Sequence, residues 1–176
     1  KTKQKIGSYY RDHQYYVTSA QRRYETLKRL IDFNPGIYGL IFTRTKADAQ
    51  EIAEKLTREG YDIDALHGDL TQQQRDKVMG QFRDKSLQLL IATDVAARGI
   101  DVDNVDAVFN YDFPLDPEYY VHRIGRTGRA GKSGKAFSFI TGRNESGRLR
   151  DIERYAKVRL ERHNPPSRKE LFELNK

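Results

Sequence analysis

The chain has 176 residues, 37% of them hydrophobic and 32% charged, with a net charge of +7 and no cysteine. That length suits one domain with its own core, and that balance excludes a disordered segment. No apolar run approaches the roughly 20 residues needed to span a bilayer. Predicted elements then alternate along the chain. A strand over 15–18 leads into a helix that Thr18 and Gln21 cap as a box; Tyr24, Leu27, Leu30 and Ile31 form its buried stripe, and Asn34-Pro35-Gly36 stops it. After a strand over 39–43, Thr45 caps a second helix that buries Ala49, Ile52, Ala53 and Leu56 and ends before Gly60, where a left-handed residue is wanted. A strand over 62–67 precedes a helix opened by a Thr71–Gln74 capping box, and strands over 88–93 and 107–111 follow. Asp116-Pro117-Glu118 supplies a cap, a proline at the first helical position and a favourable charge for a short helix carrying His122. A strand over 135–141 and a charged helix over 146–162 complete the domain, with Leu149, Ile152, Tyr155, Ala156 and Leu160 spaced to pack on its body. Residues 1–162 form the expected domain, and Asn164-Pro165-Pro166-Ser167 opens an expected linker or C-terminal extension over 163–176. A chain opening at Lys1 reads as a fragment of something longer.

The alternation of strand and helix is the pattern of a mostly parallel sheet covered on both faces. Absence of cysteine excludes disulfides and thiolate metal sites, and His13, His67, His122 and His163 stand too far apart in sequence for a local ligand cluster. The positive charge and a pI near 9.5 favour a polyanionic partner, without separating RNA from DNA or anionic lipid.

In open parallel sheets ligands gather beyond the carboxyl ends of the strands. The residues there are Arg44, Thr45 and Lys46; His67, Gly68 and Asp69; Thr93 and Asp94; and Asp112 and Asp116. The densest signal is His122-Arg123-Ile124-Gly125-Arg126-Thr127-Gly128-Arg129, in which arginines recur every three residues beside two glycines. Guanidinium groups are planar, always charged and bidentate, matching phosphoryl oxygens, and glycine permits close backbone approach. A solvated basic loop explains the charge but not that interleaving. In Thr93 to Asp101, an apolar strand opens directly into polar residues, a glycine and two carboxylates. Asp101 suits a ribose hydroxyl, and equally the cap of a turn. The helix beginning at Thr71 aims its amino-terminal dipole at a phosphate, while Arg75 has Asp76 as an alternative partner.

Taken in order, these segments resemble the motifs of the DEAD-box RNA helicases. His122 to Arg129 is similar to the last helicase motif, with His122 where DNA-acting relatives and the DEAH group usually carry Gln. Thr93 to Asp101 resembles the fifth motif, Leu40 to Thr45 the fourth, and Leu66 to Asp69 with Gln72 and Arg75 the RNA-facing segment between them. The resemblance covers about residues 1–160. It implies the second of two RecA-like domains: an α/β fold, a mostly parallel sheet with helices on both faces in three layers, as a single domain. By the same resemblance Arg126 and Arg129 are catalytic arginine fingers, and Gly99 and Asp101 join them at the nucleotide. Arg44, Thr45, Gly68, Asp69, Gln72, Arg75 and Thr93 face RNA, and His122 and Arg123 couple nucleotide state to domain closure. The implied cofactor is ATP with Mg2+ held by the missing N-terminal RecA-like domain. RNA and that domain are the expected partners and the cytoplasm the expected compartment, with no membrane and no oligomer indicated.

What is missing bounds the activity. A phosphate-cradling loop needs G-x-x-x-x-G-K-S/T between a strand and a helix. Gly131-Lys132-Ser133 imitates its end, but Arg126 occupies the position that must be glycine and a strand follows. No Asp-Glu-Ala-Asp run occurs either. The fragment alone is therefore expected to be inactive. Two other readings of the same arginines remain at this stage, a non-catalytic RNA-binding module and a DNA translocase domain; a module gripping single strands usually presents aromatics on its binding face, and a backbone grip need not read the 2′-hydroxyl.

Overall fold

Leu40, Ile41 and Phe42 are consecutive and all buried, Leu40 and Phe42 in one apolar core and Ile41 in another. Strands apolar on both sides belong inside a parallel sheet with each face covered. The structure, a computed structural model, describes residues 4–6, 9–98, 102, 104–127, 133–142 and 144–174, so Gly99, Asp101 and Arg129 lie outside the described residues.

Among the described residues, β1 (Gln4–Ile6), β2 (Tyr9–Val17), β3 (Gly39–Thr43), β4 (Ile63–Leu66), β5 (Leu89–Thr93), β6 (Ala107–Asn110), β7 (Ser133–Ile140) and β8 (Glu161–Arg162) form one sheet. Its order is β1-β2-β7-β6-β3-β5-β4, with β8 pairing to β2. Every pairing is parallel except β1 with β2. Helices α1 (Arg23–Phe33) and α2 (Lys46–Arg58) bury Leu27, Leu30, Ile31, Ile52 and Leu56 against one face. Helices α3 (Gln72–Arg83), α5 (Pro117–Ile124) and α6 (Asn144–Ala156) bury Phe82, Tyr120, Ile124 and Ile152 against the other. Short α4 (Asp94–Ala97) follows β5 directly, and α7 (Arg168–Leu174) lies against α1. The result is the expected three-layer RecA-like arrangement, and no described helix is long and apolar enough to cross a membrane.

Local chemistry explains most element boundaries. Thr45 accepts from Asp48 N at 3.1 Å to start α2, and Thr71 and Gln74 form the reciprocal capping box of α3. Gly60 takes φ +96°, a conformation that side chains strain to adopt. Three expectations need correcting. Thr18 caps nothing: its amide continues the sheet to Ile140 O at 2.9 Å, so α1 starts at Arg23 after a turn in which Ser19 Oγ accepts from Arg22 N. The helix predicted over 146–162 ends at Ala156, because Lys157 turns to φ 57° and Glu161–Arg162 pairs with β2. Tyr155 does not pack on the body of the domain; it is 58% exposed, while Ile152 carries the buried stripe.

Gly39 opens β3 opposite Leu89 and Ala107. An added Cβ there would sit 2.9 Å from Phe109 Cε1 and 3.2 Å from Leu89 Cδ2. Gly39→Ala is therefore expected to cost about 1–3 kcal/mol through overpacking. A lower urea midpoint at unchanged slope would register it; an unchanged midpoint would mean that the Phe109 and Leu89 side chains yield freely.

Candidate functional site

Helix α5 is built to hold its side chains rigidly. Asp116 Oδ1 accepts from Tyr119 N at 3.2 Å, Pro117 opens the first turn, and His122 and Arg123 stand in the last turn, where positive charge complements the helix dipole. Tyr120, fully buried, places its hydroxyl 2.7 Å from His13 Nδ1 on β2. The helix is thereby tied to the sheet at β2.

Arg123 is turned inward and 4% exposed. Its Nε and Nη2 donate to Asp94 Oδ1 and Oδ2 at 2.8 and 2.7 Å, and its Nη1 donates to Asn110 Oδ1 at 3.2 Å and Asp112 O at 2.8 Å. Bidentate geometry of this kind fixes both distance and plane. Arg123 thus joins α5 to the exits of β5 and β6 within this one domain. His122, the other residue of the expected coupling pair, is exposed.

These residues border a cleft of about 360 Å³ lined by Asp94, Arg98, Tyr119, His122, Arg123 and Arg126, among others. Arg126 is half-buried, with Nη2 3.5 Å from Ala97 O. Asp94 is matched by Arg123, so the lining presents guanidinium and imidazole groups with its carboxylate compensated. Such a surface attracts anions.

The strand exits next to it meet along the same edge. Asp112 Oδ2 accepts from Arg44 N at 2.6 Å while its Oδ1 takes Arg23 Nη1 at 2.5 Å, joining β3, β6 and α1. Arg44 itself is exposed. Lys46 Nζ meets Asp69 Oδ1 at 2.9 Å, and that ammonium holds the Asp69 carboxyl below the usual carboxylate range. Gly68 has open space where a Cβ would stand, and exposed Gln72 donates to Asp76 Oδ1 at 2.9 Å. Arg75 does not pair with Asp76; its Nη2 reaches Ala96 O at 3.4 Å, linking α3 to α4. Thr93 Oγ1 accepts from Ala96 N at 3.3 Å and so caps α4.

The helicase conserved C-terminal domain family matches residues 22–131. The chain belongs to that family, as the C-terminal domain of a DEAD-box protein. The DEAD-box ATP-dependent RNA helicase CshA of Geobacillus kaustophilus is 44% identical over 161 residues, covering 91% of this chain and 34% of that protein. This DEAD-box domain therefore spans about a third of the length of the curated relatives it matches. Among solved structures, the C-terminal domain of the DEAD-box protein Dbp5 superposes with a TM-score of 0.82 at 35% identity, covering 93% of this chain and 96% of that one. Saccharomyces cerevisiae Dbp5 bound to RNA and ADP BeF3 matches with a TM-score of 0.81 at 35% identity, over 93% of this chain and 44% of that one.

Of the residues singled out in sequence, the DEAD-box domain brings His122, Arg123 and Arg126 together at the cleft beside Thr93's helix. Arg44, Thr45, Gly68, Asp69, Gln72 and Arg75 lie along the neighbouring exits of β3 and β4. Sequence reasoning placed Asp94 and Asp112 at the edge but missed their work as internal acceptors for Arg123 and Arg23. Asp94 follows β5, whose first four residues, Leu89 to Ala92, are fully buried, and that was the available signal: a carboxylate at such a place needs a cation.

Proposed function

We propose that this domain is the half of an ATP-dependent RNA helicase that completes a nucleotide site housed by its N-terminal neighbour. The observation that carries the reading is the arginine-lined cleft beside α5, whose one lining carboxylate is matched internally. Its donors suit phosphate oxygens, whereas no group of three His, Asp or Glu among the described residues could hold a metal ion. Mg2+ belongs to the N-terminal domain in this proposal, as the family resemblance implies. Arg126, with Arg129, meets the γ-phosphate and neutralises charge as its bond to the leaving group breaks. Gly99 and Asp101 receive the nucleoside. His122, exposed at the cleft, senses the facing domain, and Arg123 holds α5 in register for it.

RNA in this reading follows the exits of β3, β4 and β5, past Arg44, Thr45, Gly68, Asp69, Gln72, Arg75 and Thr93. These residues offer contacts to sugar and phosphate, which position a strand without reading its sequence. Val95 is 75% exposed and Leu115 57% exposed at the same edge, apolar surface for a second domain to cover. Closure of two domains around both ligands then couples hydrolysis to strand separation. Binding of RNA and ADP BeF3 by the similar Dbp5 chain supports both ligand assignments. The same proposal puts the intact protein in the cytoplasm, with 163–176 beginning its C-terminal extension.

The isolated chain is expected to hydrolyse no ATP and to bind single-stranded RNA weakly. Log affinity should fall linearly with log salt, and Arg44→Ala should reduce that slope by about 0.7, the loss of one phosphate contact. Fluorescence anisotropy across a salt series reads both. Tight, salt-insensitive and sequence-specific binding would contradict the proposal.

A further inference from the structure

The amino-terminal edge of the sheet, at the far end of the strands from α5, carries a second cleft of about 350 Å³. Asp12 on β2, Lys135 on β7, Asp106 just before β6 and the Pro35-Gly36-Ile37 turn after α1 line it. Asp12 is 5% exposed. Its Oδ2 accepts from Gln14 Nε2 at 2.9 Å, while its Oδ1 has no hydrogen-bond partner among the described residues and is shut off from water. A buried carboxylate oxygen in that condition carries its desolvation cost uncompensated. Native structures keep few such groups without a reason.

The surroundings add to the demand for a cation. Asp106 is exposed, and its Oδ2 accepts from Tyr38 N at 2.9 Å, leaving acceptor capacity toward the cleft. Helix α1 ends here, so the negative end of its dipole is at the cleft. Among the described residues lining the cleft, the one cation set against these is Lys135, half-buried and without an ion pair to another described residue. The described lining therefore keeps a net negative character.

We propose that this cleft binds a guanidinium group. A compact, strongly hydrated ammonium or divalent ion gives up more hydration on entering beside a buried carboxylate, and among the described residues no group of three His, Asp or Glu could hold a metal ion. A guanidinium brings five donors in one plane, enough for Asp12 Oδ1 and Asp106 together, with Pro35 and Ile37 as an apolar wall for its stem. Side chains at the mouth rotate to uncover Oδ1 as the donor enters. The cleft lies apart from the one beside α5, and the proposal does not depend on how that one functions.

Two probes test it by 1H–15N NMR on this chain: N-acetyl-L-arginine amide and a capped Gly-Arg-Gly peptide. Saturable shifts are expected at the amides of Gly36, Ile37, Gly134 and Lys135, with neutral N-acetyl-L-glutamine amide silent. Asp12→Asn and, independently, the surface change Asp106→Asn should each weaken binding by about tenfold or more, whereas Lys135→Met should tighten it by removing the competing cation. Equal affinity for both probes would identify a free guanidino compound as the source, and a peptide preference of about tenfold an arginine on a polypeptide. Absence of saturable shifts, shifts confined to the carboxyl edge, or undiminished binding by both carboxamide variants would overturn the proposal.

Discussion

Arg126→Ala, in the protein that includes its N-terminal domain, is expected to lower RNA-stimulated ATP hydrolysis by about a thousand- to a hundred-thousandfold, the measured worth of arginine fingers elsewhere. That is about 4–7 kcal/mol of transition-state stabilisation. The effect should fall on kcat, because charge on the transferring phosphoryl group is met most strongly in the transition state. RNA affinity should change little, since the residues facing RNA in this reading lie on the exits of β3, β4 and β5. Urea denaturation of the variant, run alongside, separates a loss of hydrolysis from a loss of fold. Arg126→Lys should recover only a small part of the loss, because an ammonium is a point charge without the planar fork. Steady-state hydrolysis at saturating RNA, together with an RNA binding isotherm, separates the readings. A parallel loss of RNA affinity and hydrolysis would favour a nucleic-acid-binding module whose arginines hold RNA phosphates.

The central strands and their helices were legible because their signals are local and redundant. β3 and β5 are apolar runs bounded by turn residues, and Thr45, Thr71 and Asp116 each cap a helix where the chain places a hydroxyl or carboxylate before an apolar period. The edge of the sheet was less legible. β2 begins at Tyr9, well before the predicted strand, because Asp12 and Gln14 look like surface residues in sequence. They are buried through a relay in which Tyr16 donates to Gln14 and Gln14 to Asp12, which only the folded register reveals. β8 is two residues long and exists only because β2 offers an open edge. The candidate site shows the same division. His122 to Arg129 stands out by composition, yet nothing local distinguishes the inward Arg123 from the cleft-lining Arg126. Their separation follows from helical phase: Arg123 lies on the buried side of α5 with Tyr120 and Ile124, and Arg126 comes just after the helix has ended at Gly125.

Arg123→Ala is expected to destabilise the domain by about 3–5 kcal/mol, the cost of breaking a buried ion pair from one side. Against a total stability of about 5–15 kcal/mol for a domain, that loss threatens the fold at physiological temperature. The magnitude follows from what truncation strands. Asn110 Oδ1 and Asp112 O lose their donor in the interior, Asp94 loses its countercharge, and the guanidinium also lies 5.1 Å from the Phe42 ring centroid. Asp94→Ala should cost a comparable amount, because it leaves the Arg123 guanidinium, 4% exposed, without its carboxylate, with Asn110 Oδ1 and Asp112 O as its remaining acceptors. In a double-mutant cycle the two changes should couple strongly, since they share one bidentate contact. Arg123→Lys should rescue poorly, for one ammonium cannot span Asp94, Asn110 and the Asp112 carbonyl at once. Added salt should alter the difference little, because buried pairs are weakly screened. Urea denaturation of the four variants of the cycle would measure all of this. A loss below about 1 kcal/mol for Arg123→Ala would place the pair in the class of surface salt bridges, and would leave α5 without the internal anchor that keeps Arg126 beside the cleft.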